Sequence, residues 1–145
     1  LHEQMVARDD ILYCPIVYGY GTYGEADQRR RLSFADMPGL KTINCSGSIL
    51  GGAGIGLSGS CKHPDEAYHF LRFLNRVETQ RDIFTQYHGQ PARIEAWEDP
   101  RVDQRFNGYF SSVRKSMESA RTRPRYNGYL KFQLEAGDAL RLGMF

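Results

Sequence analysis

The chain has 145 residues, of which 41% are apolar and 25% charged, and its formal net charge is +2. That length fits one domain with a substantial core, and so small a charge does not by itself point to a nucleic-acid or membrane-surface partner. No stretch approaches the roughly 18 apolar residues of a membrane span, and the opening LHEQMVARDD lacks the pattern of a signal peptide.

In chain order, residues 2–8 read as the end of a helix, broken by Asp9 and Asp10. The run ILYCPIVY (11–18) is apolar and β-prone, and Pro15 marks it as an edge strand or a bend. GYGTYG (19–24) is a flexible loop carrying Tyr20 and Tyr23, and the polar EADQRRR (25–31) reads as solvated. LSFADMPG (32–39) alternates enough to read as a strand closed by a Pro-Gly turn. LKTINCSG is a loop feeding the next segment.

Residues 48–75, SILGGAGIGLSGSCKHPDEAYHFLRFLN, carry the strongest pattern. The first half is small and apolar, as expected of a strand covered on both faces. Pro64 then stands where a first helical residue belongs, since its missing N–H is unsatisfied there anyway. Asp65 and Glu66 put negative charge at the positive end of the helix dipole. Ala67, Phe70, Leu71 and Leu74 follow at helical spacing and predict a helix with one buried face.

VETQRDIFTQY continues as a second helix with Val77, Ile83, Phe84 and Tyr87 inward, stopped by His88-Gly89-Gln90-Pro91. Residues 92–105 show little periodicity and read as a loop or one short turn before Pro100. A helix is expected over about 104–120 with Phe106, Tyr109, Phe110, Val113 and Met117 on one side. RTRPRYNG breaks it, and Tyr129 to Leu142 forms a last helix with apolar positions at Leu130, Phe132, Leu134, Ala136, Ala139 and Leu140. Strands in front and helices behind describe an α/β or α+β unit with more helix than sheet.

The motifs that suggest chemistry are individually weak. Gly19-Tyr-Gly21-Thr-Tyr-Gly24 and Gly54-Ile-Gly56-Leu-Ser-Gly59 match the dinucleotide-binding spacing, but no amphipathic helix opens directly on either. A phosphate-binding loop with its lysine is absent, and GLSGS lacks the spacing of a nucleophile elbow. Cys61 and His63 place a thiol near an imidazole, as a thiol enzyme or a small α/β hydrolase would, though neighbours so close in sequence seldom align for proton transfer. His63 serves more simply as a helix cap, and His63, Asp65, Glu66 and His69 match no metal-ligand spacing. No metal or cofactor is called for.

The three cysteines, Cys14, Cys45 and Cys61, make an odd count. Cys14 reads as a buried thiol, and a Cys45–Cys61 disulfide is left open. Arg29-Arg30-Arg31 reads as a solvated run. Arg121, Arg123 and Arg125, with Pro124, Tyr126 and Tyr129, suit either single-stranded nucleic acid or a polyhydroxyl or carboxylate ligand.

Taken in order, the segments YGYGTY, LSFADMPG, GGAGIGLS, KHPDEA, HGQPAR, AWEDPRV and ARTRPRYNGYLKFQ resemble the C-terminal part of the extracellular solute-binding proteins of ABC importers, sugar-binding family. The likeness covers nearly the whole chain, with HGQP standing where relatives carry GGQP. It implies the helix-rich C-terminal lobe, with a few strands, of a periplasmic-binding-protein-like (type II) α/β fold. The N-terminal lobe and secretion signal would precede Leu1, and the location would be periplasmic or at the outer membrane surface. It implies a non-enzymatic role: a carbohydrate or similar polyhydroxyl ligand is held in the cleft between lobes and delivered to a membrane permease, with no nucleic-acid partner. Expected ligand contacts are Tyr18, Tyr20, Tyr23, Gly51, Gly52, Trp97, Arg123 and Tyr126; packing roles are open for Tyr18, Gly51, Gly52 and Trp97.

Overall fold

The computed structural model describes residues 1–15, 17–38 and 48–143. Helix α1 is His2–Ala7, followed by a 3-10 turn at Gly21–Gly24 and helix α2 at Pro64–Leu74. A further helix spans residues 77–86 and widens to π-helical geometry over Thr79–Phe84. Then come α3 (Ile94–Trp97), α4 (Pro100–Arg105), α5 (Tyr109–Ser112), α6 (Arg114–Ser119) and α7 (Tyr129–Gly143). None of these helices is long and apolar enough to cross a membrane.

The expected α/β lobe is corrected: no strand forms among the described residues, so there is no sheet. The segments expected as strands lack anything to cover them. Leu12 is 83% exposed and Tyr13 69% in the first, and every residue from 51 to 60 is exposed in the glycine stretch. Glycine offers no side chain to pack and loses more backbone freedom on ordering, so neither term favours a ladder there. Only Ile49 retains strand-like pairing, as a parallel bridge to Arg121. Leu50 N–H donates to Arg121 O at 2.9 Å, and Arg121 N–H to Ser48 O at 3.0 Å.

Residues 32–38 keep the expected alternation without a sheet. Leu32 is buried and Phe34 packs on the core. The segment is pinned to α6 by side chains instead: Ser116 N–H and Oγ both reach Asp36 Oδ1 at 2.8 Å, and Met37 N–H reaches Ser116 Oγ at 2.7 Å. Gly39 and the loop expected over 40–47, with Cys45, lie outside the described residues. Cys14 is half-buried rather than deeply buried, and so is Cys61.

The core forms where short helices meet. Val102 and Phe106 from α4 and its end, Tyr109 and Phe110 from α5, and Val113 pack together, with Phe34 and Trp97 against them. The helix expected over 104–120 is interrupted. Asn107 and Gly108 both adopt the left-handed conformation (φ 59° and 74°), which turns the chain so that α4 and α5 face one cluster. α4 begins at Pro100 because Asp99 caps it, its Oδ1 accepting from Arg101 N–H at 2.9 Å.

α2 begins at Pro64 with Asp65 and Glu66 in its first turn, as expected, although the His63 side chain caps nothing. Its face is not buried as expected: Ala67, Leu71 and Leu74 are half-covered, and Phe70 is 58% exposed. α7 likewise has no buried residue, and Leu130, Phe132, Leu134, Leu140 and Leu142 are exposed. In the helix at 77–86 the inward residues are polar, not the expected Ile83 and Tyr87, which are exposed. Buried Gln80 accepts Ala92 N–H at 2.7 Å and donates to Leu74 O at 2.7 Å, satisfying backbone groups at both helix ends.

Candidate functional site

The aromatic loop at residues 18–24 is held from below by glycines set against the core. Gly19 and Gly21 lie against the Tyr109 ring, where an added Cβ would sit 2.7 Å from Tyr109 Oη and 2.9 Å from its Cδ1, respectively. A hydrogen-bond chain locks the contact. Gly21 N–H donates to Gln90 Oε1 at 3.0 Å, Gln90 Nε2 donates to Tyr109 Oη at 3.2 Å, and Tyr109 Oη donates to Gly19 O at 3.0 Å. Burial pushes the Tyr109 phenol up from its ordinary value, opposed by the hydrogen bond from Gln90, so it stays a neutral donor. Arg31 Nε donates to Gly24 O at 2.7 Å, while Arg29 and Arg30 bond Ala7 O and Asp9. The basic run therefore straps α1 and the loop together instead of being merely solvated.

The loop then presents its rings to a cavity. Leu1, His2, Glu3, Tyr20, Thr22 and Tyr23 line an open space of about 420 Å³. His2 stacks on Tyr23 with centroids 5.0 Å apart and planes 10° from parallel, and meets Tyr20 edge-on at 5.4 Å. His2 is buried, and that burial is the main reason its imidazole is held below the ordinary value of 6.5; a hydrogen bond to the Tyr18 backbone acts the other way. A neutral imidazole between two phenols gives a flat, weakly polar wall. The Glu3 carboxylate and Thr22 hydroxyl supply an acceptor and a donor–acceptor on the same cavity. Such a site suits a small ligand with one apolar face and several hydroxyls.

A second group of the expected residues comes together nearby in the chain. Arg123 Nη2 donates to Tyr18 Oη at 2.7 Å, a contact spanning 105 residues that raises the guanidinium further above its ordinary value. Gly51 fits against the Tyr18 ring, since a Cβ there would lie 2.9 Å from Tyr18 Cε1. The Ile49–Arg121 bridge brings these two segments into register. Tyr126 packs edge-on to Tyr129 at 5.6 Å and remains 58% exposed. Tyr18 is 46% exposed and Tyr20 55%, so both rings are open to a ligand.

Two of the expected contacts are placed elsewhere. Gly52 has no atom near the position of a Cβ and is exposed. Trp97 belongs to the core: its Nε1–H donates to Pro91 O at 2.7 Å and its ring meets Phe110 at 4.9 Å. Sequence reasoning missed His2, because a single histidine in a short helix has no pattern. It also took Gln90 for helix punctuation, though a Gln between Gly and Pro is an amide in a turn with few local partners. Tyr109 was read only as an apolar face.

No protein-family model, curated protein or solved structure matches this chain.

Proposed function

We propose that the chain is part of a solute-capture protein of an ABC importer, which holds a sugar or similar polyhydroxyl compound and passes it to a membrane permease. The observation that carries the ligand class is the Tyr20–His2–Tyr23 wall with Glu3 and Thr22 on one cavity of about 420 Å³, within the range of roughly 300–1,000 Å³ usual for small-molecule sites. The ordered resemblance of the sequence segments supports the importer reading. The Tyr18–Arg123 pair and Gly51 supply a second polar and aromatic contact region. Apolar side chains left exposed on α2, on α7 and at Ile55 and Leu57 support a further lobe that covers them.

On this reading, hydroxyls exchange hydrogen bonds with Glu3 and Thr22 while a ring face lies on Tyr20. Closure of a second lobe then supplies the remaining contacts. The chain alone is expected to bind sugars weakly. Saturation-transfer NMR against a panel of mono- and oligosaccharides is the test. Transfer to ring C–H protons of at least one sugar, strongly reduced by Tyr20→Ala, is the expected result. Absence of transfer to every sugar, or transfer indifferent to Tyr20→Ala, overturns the ligand assignment. Micromolar affinity of the chain alone overturns the need for another lobe.

A further inference from the structure

Glu25, just after the 3-10 turn, is only 3% exposed. Its two carboxylate oxygens have different environments. Oε2 faces His88 Nδ1 at 2.9 Å and accepts from Arg105 Nε at 3.2 Å. Oε1 is buried and has no hydrogen-bond partner among the described residues. A buried carboxylate oxygen without a donor is costly and calls for a partner. Asp27 and His88 stand beside it, both exposed, and one ligand atom from each of the three residues lies within 4.8 Å of the others.

We propose that Glu25, Asp27 and His88 form a site for a divalent transition-metal ion of the zinc class, with Glu25 as its buried anchor. The donor set selects that class. An imidazole disfavours calcium and magnesium, which take oxygen, and the three donors contain no thiolate of the kind that selects copper(I). Two ligands on one zinc ion lie about 3.4 Å apart in a tetrahedron with bonds near 2.1 Å, so the widest of these pairs closes by roughly 1.4 Å. That movement falls to Asp27, an exposed side chain in a loop. His88 is already held: Gly89 N–H donates to Phe84 O at 2.7 Å and His88 N–H to Thr85 O at 3.3 Å. The ion takes Oε1 and replaces the proton shared between His88 and Glu25, while Arg105 keeps its bond to Oε2. The nearby guanidinium repels a cation, so binding is weaker than in a site without one. The exposed side retains water as further ligands.

The test is calorimetric titration of the 145-residue chain, stripped with EDTA, with zinc chloride, and the absorption of bound cobalt(II) as a readout of coordination. One ion per chain is expected. Asp27→Asn and His88→Gln should each weaken it by roughly tenfold or more, with circular dichroism unchanged because both side chains are exposed. His63→Gln should have no effect, and Arg105→Gln should tighten binding. No binding at millimolar zinc overturns the site. So does affinity unchanged in both Asp27→Asn and His88→Gln, or lost instead in His63→Gln.

Discussion

Replacing Gly24 with alanine tests how tightly the aromatic loop is fitted to the core. A Cβ at that position would lie 2.5 Å from the Phe106 carbonyl oxygen, 3.2 Å from its carbon and 3.3 Å from Asn107 Cβ. Unstrained non-bonded atoms sit about 3.5 Å apart, so the backbone at 106 or the loop must yield by about 1 Å. Phe106 is fully buried, and its carbonyl already accepts Tyr109 N–H at 3.2 Å. Neither side can move cheaply, and overpacking of this kind costs about 1–3 kcal/mol. For a chain of this size that corresponds to a fall in Tm of roughly 3–10 °C. Urea unfolding followed by circular dichroism reads the loss, with Gly52→Ala as the control. An alanine at 52 meets nothing within 4 Å and is expected to change stability by no more than about 1 kcal/mol. Equal losses in the two variants would refute the contact argument, as would an unchanged midpoint for Gly24→Ala. Because Gly24 follows Tyr23 directly, the same variant should weaken saturation transfer from any sugar that the wild type binds.

Phe106→Ala removes a ring with no exposure from the centre of the cluster and should cost about 3–5 kcal/mol in urea unfolding; a smaller loss than at exposed Phe70 would contradict the placement of the core. Gln90→Ala leaves Gly21 N–H and Tyr109 Oη without their amide partner; about 1–2 kcal/mol of stability should go, with faster hydrogen exchange at Gly21. The His2 imidazole lies below 6.5 in the folded chain because burial disfavours its charge. The unfolded chain then binds more protons just below pH 6.5, so stability falls as pH drops through that window; His2→Phe should flatten this slope. Asp99, held at about 2 against an ordinary 3.8 chiefly by its hydrogen bond with Arg101, acts in a separate window. Its contribution is present above 3.8 and is lost as pH falls toward 2, so Asp99→Asn should change only that lower limb.

Local signals were legible and long-range ones were not. Pro64 with Asp65 and Glu66 marks the start of α2 from the sequence alone, and Gly128 (φ 96°) precedes α7 where the breaker segment ends. The apolar faces of these helices were legible as patterns but not as burial, because burial depends on what lies opposite. β-prone composition at 11–18 and 48–58 misled for a related reason: a ladder needs a partner segment, and composition does not supply one. The dipeptide Asp99-Pro100 carried a helix start that weak periodicity over 92–105 concealed. Tyr18, Gly51 and Arg123 were picked out as ligand contacts, and the structure brings these three together. His2 and Glu25 matter through partners as much as 63 residues away, as in the Glu25–His88 pair, and no short pattern encodes such a meeting.

The wide helical turn over Thr79–Phe84 makes that segment sensitive to length more than to composition. A π-helical turn holds one residue more than an α-helix of the same rise, so removing a single residue there would let the helix relax to regular geometry. Everything after it would rotate by about 100° and draw back by about 1.5 Å. His88 would then swing away from Glu25, and Gln90 from Gly21 and Tyr109, in one step. Insertions and deletions should therefore be tolerated across the exposed glycine stretch at residues 51–60 and rejected at 79–84, even where every substitution at those six positions is mild.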